Sequence, residues 1–244
     1  LTPAALANID PPDRRGVDPR VIGPSDQAWE KIFLPSLGEE RSGRKPAGAA
    51  LATGFFADAD AASLFAALHG ELVWEEREIK LFGRRMMQPR LVAFYGDSGA
   101  AYSYSGTLFS PRPWTSVLCN VRREVEALVG RSFNAVLCNL YRSGADSMGW
   151  HSDDEPELGE SPVIASVSFG ATRRLRFRAR DRAISRASTG IDLKAGSVLL
   201  MTGAMQQLYQ HQIPKVAASV EVLPRINLTF RQIGDRCSAA GPVR

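Results

Sequence analysis

Asn139-Leu140-Tyr141-Arg142-Ser143-Gly144-Ala145-Asp146-Ser147-Met148-Gly149-Trp150-His151-Ser152-Asp153-Asp154-Glu155 sets the frame for the rest of this chain. It continues an apolar run at 133–138 that reads as a strand. Gly144 and Gly149 then mark a loop. The stretch closes on His151 and Asp153, with one serine between them. On an extended backbone, residues i and i+2 project to the same side, so an imidazole and a carboxylate are expected on one face. Alone, His-x-Asp says little, because a histidine beside an acidic loop is more often a surface residue than a metal ligand.

Toward the C-terminus the sequence is rich in strand patterns. Residues 163–169 form an apolar run stopped by Gly170. From 173 to 180 the pattern alternates, with Leu175, Phe177 and Ala179 facing one way and Arg174, Arg176, Arg178 and Arg180 the other. A short apolar strand is expected at 197–201. The last is Arg225–Arg231: Ile226, Leu228 and Phe230 share one face, while Arg225, Asn227, Thr229 and Arg231 share the opposite one.

Toward the N-terminus, the pattern predicts a helix at 61–68, capped by Asp58 or Asp60, with Leu64, Phe65 and Leu68 on one stripe. Residues 72–82 read as a strand or hairpin arm ended by Gly83, and 91–96 as a short strand running into a turn. Tyr102 and Tyr104 share a face at period two. A second helix is expected at 114–129, opened by Pro113, stopped by Gly130, and carrying Val117, Val121, Val125 and Leu128 at helical spacing. Helices followed by a succession of short strands predict a mainly β fold with flanking helices, of the double-sheet jelly-roll type.

Composition sets outer limits. Of 244 residues, 44% are hydrophobic and 23% charged, as in an ordinary globular protein. The net charge of +4 is compatible with a polyanionic partner without demanding one. Cys119, Cys138 and Cys237 are few and lack CxxC spacing, so neither a disulfide framework nor a zinc ribbon is indicated. No apolar run approaches the roughly 20 residues of a membrane span. No secretory signal is visible at Leu1-Thr2-Pro3. An intracellular monomer is the expectation, cytoplasmic in a bacterium and nuclear in a eukaryote. Residues 1–48, rich in Pro, Gly and Arg, read as a flexible extension with a short ordered piece at 29–37. The domain proper is expected at 49–236, with a tail at 237–244.

Two observations point to chemistry. Downstream of the opening stretch there is one further histidine, His211. Two His and one carboxylate on a common face leave coordination positions open, the arrangement of non-haem Fe(II) oxygenases. A polar face on a sandwich strand is ordinarily a solvated one. Arg225, Asn227 and Arg231 fit that reading less well, since they follow His211 closely on an otherwise apolar terminal strand. An inward Arg pair suits a dicarboxylate, because guanidinium binds carboxylate bidentately. An open iron site beside such a pair is the chemistry of a 2-oxoglutarate-dependent dioxygenase.

Taken together, Asn139-x-Tyr141, His151-x-Asp153-Asp154-Glu155, Ile164-Ala165-Ser166-Val167-Ser168-Phe169-Gly170, His211 and Arg225-Ile226-Asn227-Leu228-Thr229-Phe230-Arg231 resemble the AlkB family of Fe(II)/2-oxoglutarate nucleic-acid dealkylases. The likeness runs from about residue 80 to 233 and is nearest to the branch with the animal DNA-repair members. The span between His211 and Arg225 departs from the family in length and composition. The resemblance implies a double-stranded β-helix and assigns Fe(II) to His151, Asp153 and His211. It implies that Asn139, Tyr141 and Arg225 hold the distal carboxylate of 2-oxoglutarate, and that Arg231, supported by Asn227, holds the one nearer the metal. Tyr104 would stack on an extruded methylated base, Tyr102 would line the same pocket or its phosphate edge, and Glu155 would read the exocyclic amino group.

The implied reaction consumes O2 and 2-oxoglutarate and releases succinate, CO2 and formaldehyde from N1-methyladenine or N3-methylcytosine. The implied partner is alkylated DNA, single- or double-stranded, or RNA, with nucleotide recognition at about 70–110. There Phe82, before Gly83, Arg84 and Arg85, resembles an intercalating wedge, with Arg84 beside the phosphates. Two alternatives stay open: an RNA or protein demethylase of the same family, and a jelly-roll nucleic-acid binder without turnover.

Overall fold

The computed structural model describes residues 28–35, 46–81, 84–100, 102–104 and 107–234, with the backbone alone at 79–81, 84, 102–104 and 107–109. Strands β1 (Glu30–Lys31) and β2 (Gly48–Ala52) precede helix α1 (Asp58–Glu71). Strands β3 (Glu78–Leu81), β4 (Arg84–Met87), β5 (Leu91–Gly96), β6 (Tyr102–Tyr104) and β7 (Thr107–Phe109) lead to helix α2 (Ser116–Val129). Then come β8 (Ala135–Tyr141), β9 (Met148–His151), β10 (Ile164–Gly170), β11 (Arg173–Ala179), β12 (Ser188–Leu193), β13 (Val198–Thr202), the one-turn α3 (Met205–Leu208), β14 (Tyr209–Ile213) and β15 (Arg225–Arg231).

Two antiparallel sheets carry the fold. The larger has the order β1-β2-β13-β10-β15-β8-β5 and the smaller β12-β11-β14-β9. This is the mainly β, jelly-roll architecture that the alternating patterns predict. Helices α1 and α2 cover the outer face of the large sheet. Leu68, Leu118, Val121, Val125 and Leu128 pack there with Val136, Val167, Ile226, Leu228 and Phe230. The opposite face meets the small sheet, where Tyr141, Ile164 and Leu199 join Leu175, Phe177, Leu193 and Ile213.

Strand β15 lies between β10 and β8, and all seven of its residues are buried. Period-two geometry therefore sends Ile226, Leu228 and Phe230 to the helices, and Arg225, Asn227, Thr229 and Arg231 into the space between the sheets. The polar face of this strand meets the interior rather than water.

Local structure departs from the sequence reading in several places. Helix α1 begins at Asp58, with Ala57 as its N-cap and no side-chain cap; Asp58 and Asp60 lie in the first turn, where carboxylates complement the helix dipole. Helix α2 starts at Ser116 and is capped by Thr115, whose hydroxyl accepts the Leu118 N–H, while Gly130 ends it with φ 66°. Of the strand expected at 72–82, Glu78–Leu81 is the part that forms among the described residues. The preceding residues are held by a Glu75–Val92 bridge and by ion pairs from Glu75 to Arg77 and Arg112. Within the expected extension, β1 pairs with β2, and β2 with β13. Ile32 of the same stretch joins the core between the sheets, and the Pro35 carbonyl accepts the Tyr209 hydroxyl; residues 1–27 and 36–45 of the extension, Phe82 and the tail at 237–244 lie outside the described residues.

Candidate metal centre and its pocket

His151 ends β9 and His211 lies mid-strand on β14, and the two are direct partners across the sheet. Their rings are 4.1 Å apart between centroids. Between His211 and Ile213 the register shifts, so that β9 spends three residues, from 151 back to 148, where β14 spends two. That bulge lets Met148 and His151 both face the cavity, whereas a regular strand would turn one of them outward.

Asp153 lies past the end of β9, so strand periodicity does not aim it. Its side chain nevertheless completes the group: one donor atom from each of His151, Asp153 and His211 falls within 4.8 Å of the others. Oδ2 of Asp153 is 3.8 Å from Nε2 of His211, and Oδ1 accepts Nη2 of Arg231 at 2.6 Å.

The electrostatics favour binding a cation here. Burial by itself pushes the Asp153 carboxyl up, but Arg231 and the two imidazoles outweigh it and hold the group at about 2. Burial, helped by His151, drives His211 down to about 3 against the pull of Asp153. Burial likewise lowers His151, opposed by Asp153. The centre at neutral pH is thus a carboxylate facing two neutral imidazoles, the protonation state that metal ligation needs. Nδ1 of His151 lies 2.9 Å from the Gly149 carbonyl, which puts the proton on Nδ1 and leaves the Nε2 lone pair free. Two nitrogens and one oxygen leave open positions, and this donor set fits Fe(II).

A cavity of about 490 Å3, mouth included, opens beside the triad. Arg225, 1% exposed, gives one Nη2 hydrogen bond to Ser168 Oγ at 2.9 Å, while its Nε and Nη1 are buried without partners. Burial lowers it to about 10, against the counter-influence of Tyr141, so it remains a cation at neutral pH. A buried guanidinium with two unused donors fits a carboxylate. The buried Tyr141 ring lies 5.2 Å from this guanidinium. Asn139 faces the same cavity and accepts Nε of Arg90 at 2.7 Å. Asn227 donates to Ser166 Oγ and to the Val167 carbonyl, and accepts Thr229 Oγ1.

The structure thus gathers His151, Asp153, His211, Asn139, Tyr141, Arg225, Asn227 and Arg231 around one space. Glu155 is half-buried at the start of a single 3-10 turn (Pro156–Leu158) and does not line the cavity. Tyr102 and Tyr104 sit on β6, paired with β7, and Arg84 opens β4; their side chains are outside what the structure describes, as is Phe82 altogether.

Three residues that the sequence did not single out are built into the site. Arg90 is 3% exposed and holds Asn139. Gln206, 1% exposed, accepts the Asp153 N–H at 3.0 Å. Arg173, 2% exposed, donates to the carbonyls of Ser143, Asp146 and Pro214 and lies 5.4 Å from the Tyr141 ring centre. It ties together the loops entering β9 and leaving β14. A signal for Arg173 existed, since it has the same parity as Leu175 and Phe177 on β11. Nothing local in the sequence marks Arg90 or Gln206.

Comparison with known proteins agrees with this geometry. The sequence pattern of the 2OG-Fe(II) oxygenase superfamily matches residues 48–231. Over 227 residues the chain is 39% identical to the Bos taurus protein named Alpha-ketoglutarate-dependent dioxygenase alkB homolog 3, covering 90% of this chain and 75% of the relative. It is 40% identical over 192 residues to the Homo sapiens protein named DNA oxidative demethylase ALKBH2, covering 74% and 72%. Among solved structures, one described as "The structure of OsALKBH1" superposes with a TM-score of 0.52 at 16% identity, over 77% of this chain and 97% of that one. At that identity the likeness speaks for the fold.

Proposed function

Because this chain belongs to the AlkB family within the 2OG-Fe(II) oxygenase superfamily, and is therefore an iron- and 2-oxoglutarate-dependent dioxygenase, we propose that it demethylates N-alkylated bases of DNA, with N1-methyladenine and N3-methylcytosine as substrates. The observation that carries this reading is the meeting of the His151, Asp153 and His211 donors beside a buried Arg225 with two unused donors. The name borne by the 40% identical human relative supports DNA as the substrate.

In this reading His151, Asp153 and His211 would hold Fe(II). Arg225, with Tyr141 and Asn139, would grip the distal carboxylate of 2-oxoglutarate, and Arg231, held by Asp153 and supported by Asn227, would face the one nearer the metal. When bound, iron and 2-oxoglutarate supply the activation of O2 and the oxidation of the methyl group; succinate and CO2 are released, and the hydroxylated methyl leaves as formaldehyde.

The chain's own contribution is placement and shielding. The Gly149 carbonyl orients His151, and Arg231 keeps Asp153 ionised. Leu137, Leu175, Leu199, Met201 and Ile213 wall the cavity and keep water from competing with the cosubstrate. The target methyl sits on the Watson–Crick edge, so the base must leave the stack to reach this pocket. Tyr104 would stack on it, with Tyr102 beside it, and Glu155 would read its amino group. A base methylated at these positions is cationic, and a carboxylate next to Asp153 and Asp154 favours it by simple Coulomb attraction. Phe82 would fill the gap in the duplex, and Arg84 would lie along the phosphates.

The test is a substrate panel of methylated DNA, methylated RNA and methylated peptide, each with Fe(II) and 2-oxoglutarate, reading formaldehyde and succinate. The expected result is release in equal amounts with DNA. Turnover confined to RNA or peptide would move the substrate class. Binding of DNA without either product would leave a nucleic-acid binder in place of an enzyme.

A further inference from the structure

Asp153 poses a positional problem that the strands do not solve. His151 and His211 are held by the ladder between β9 and β14, but Asp153 lies beyond it. A metal ligand on unpaired backbone needs other restraints, and its buried peptide N–H needs a partner. Arg231 holds the carboxylate itself, and the backbone is restrained from one short span, residues 206–211, which also carries His211.

Gln206 supplies the central one. Its Oε1 accepts the Asp153 N–H at 3.0 Å, and its Nε2 points at the Met201 sulfur at 3.5 Å, a weak acceptor. A glutamine 1% exposed among Met201 and Met205 is a costly choice of residue unless its oxygen has a task. Two further contacts flank it. Ser152 Oγ donates to the Tyr209 carbonyl at 2.8 Å. Arg180 donates Nη1 both to the Gln206 carbonyl and to Asp154 Oδ2. Ser152 and Asp153 are therefore gripped directly from 206–209, and Asp154 is tied to the same span through Arg180, with the Gln206 amide at the ligand itself.

We propose that Gln206 is the positioning residue of the metal centre: it fixes the backbone of Asp153 so that the carboxylate meets the two imidazoles, and it thereby sets the affinity for the metal. The proposal rests on the assignment of His151, Asp153 and His211 as the ligands.

The experiment measures Mn(II) binding to the metal-free full chain by titration calorimetry and by the spin-resonance signal of free Mn(II), beside the thermal melt of each variant. Gln206→Met keeps length and volume but replaces the oxygen with a thioether that accepts only weakly; it is expected to weaken Mn(II) binding about tenfold or more, the usual effect of losing an outer partner of a ligand. Gln206→Glu keeps an acceptor oxygen at the same reach and is expected to restore binding to within about threefold of wild type. With iron saturating, both variants are expected to show an apparent 2-oxoglutarate affinity within about twofold of wild type, because neither Arg225 nor Tyr141 is touched.

Asp153→Ala is the reference and should abolish Mn(II) binding. Unchanged Mn(II) affinity in Gln206→Met, with binding lost in Asp153→Ala, would overturn the clamp and leave the ligand assignment standing. Unchanged binding in Asp153→Ala would overturn both. Should Gln206→Met fail to fold, Arg180→Met removes the outer arm at a half-exposed position; a severalfold weaker Mn(II) affinity supports the clamp, and an unchanged one overturns it.

Discussion

Arg231 donates Nη2 to Oδ1 of Asp153 at 2.6 Å, while the other carboxylate oxygen looks toward His211 Nε2 at 3.8 Å. One oxygen is thus committed to a buried guanidinium and the other is left for the centre. Breaking such a buried pair from one side leaves an uncompensated charge and costs about 3–5 kcal/mol. Arg231→Met is expected to lose stability on that scale in urea unfolding of the metal-free protein. A change under about 1 kcal/mol would show that Asp153 is held by its other contacts alone.

Replacing any one of His151, Asp153 and His211 by alanine should abolish formaldehyde release while the melt remains cooperative, since three protein ligands are already the smallest open set for this chemistry. Wild-type turnover in any one of these variants, reconstituted with iron, removes that residue from the centre.

Arg225→Ala takes away the buried cation with two unused donors. A charge-assisted hydrogen bond contributes about 1.5–3 kcal/mol, so the apparent 2-oxoglutarate requirement should rise roughly ten- to a hundredfold. The KM for 2-oxoglutarate at saturating DNA reads this directly. An unchanged value would mean that another group grips the distal carboxylate.

The buried imidazoles set a pH dependence with a definite sign. His211 is held at about 3 in the fold, chiefly by burial, against an ordinary 6.5. Between those values the unfolded chain binds a proton that the folded chain does not, so stability is full above about 6.5 and falls as pH drops toward 3. His151 shifts in the same direction. Urea midpoints of metal-free protein should therefore decline steadily from pH 7 to pH 4.5, and His211→Asn should flatten the decline. A flat wild-type profile would contradict neutral buried imidazoles.

The outer face of β11 offers a graded test of DNA contact. Arg174 pairs with Asp192 and Arg180 with Asp154, so those charges are compensated. Arg176 leans on Ser188, and Arg178 on Gln210 and the Trp150 ring, all uncharged. The Arg176→Ala/Arg178→Ala pair is expected to reduce the salt slope of duplex binding by about 2, and the Arg174→Ala/Arg180→Ala pair to leave it near wild type. Equal effects of the two pairs would show that local pairing does not decide which arginines meet phosphate.

Much of the site could be read from residue order because strand periodicity is local. Arg225, Asn227, Thr229 and Arg231 had to share a face opposite Ile226, Leu228 and Phe230 whatever sheet received them. Helix α2 announced itself through valines at helical spacing and a glycine stop. The strands β9, β12 and β14 went unread because they are short and mixed in polarity, and only pairing with β11 and with each other makes them strands.

The sequence by itself determined the chemistry available: two imidazoles, a carboxylate and an inward arginine pair on a β framework. The tertiary structure decided the geometry. A bulge in β9 lets Met148 and His151 face the same cavity, and Asp153, beyond the strand, is aimed by Gln206 and Arg231 from elements 53 and 78 residues away. Arg90 reaches Asn139 across 49 residues in the same manner. The physical reason is range. Backbone periodicity constrains neighbours a few residues apart, whereas the direction of a side chain outside regular structure is set by the partners that folding brings to it.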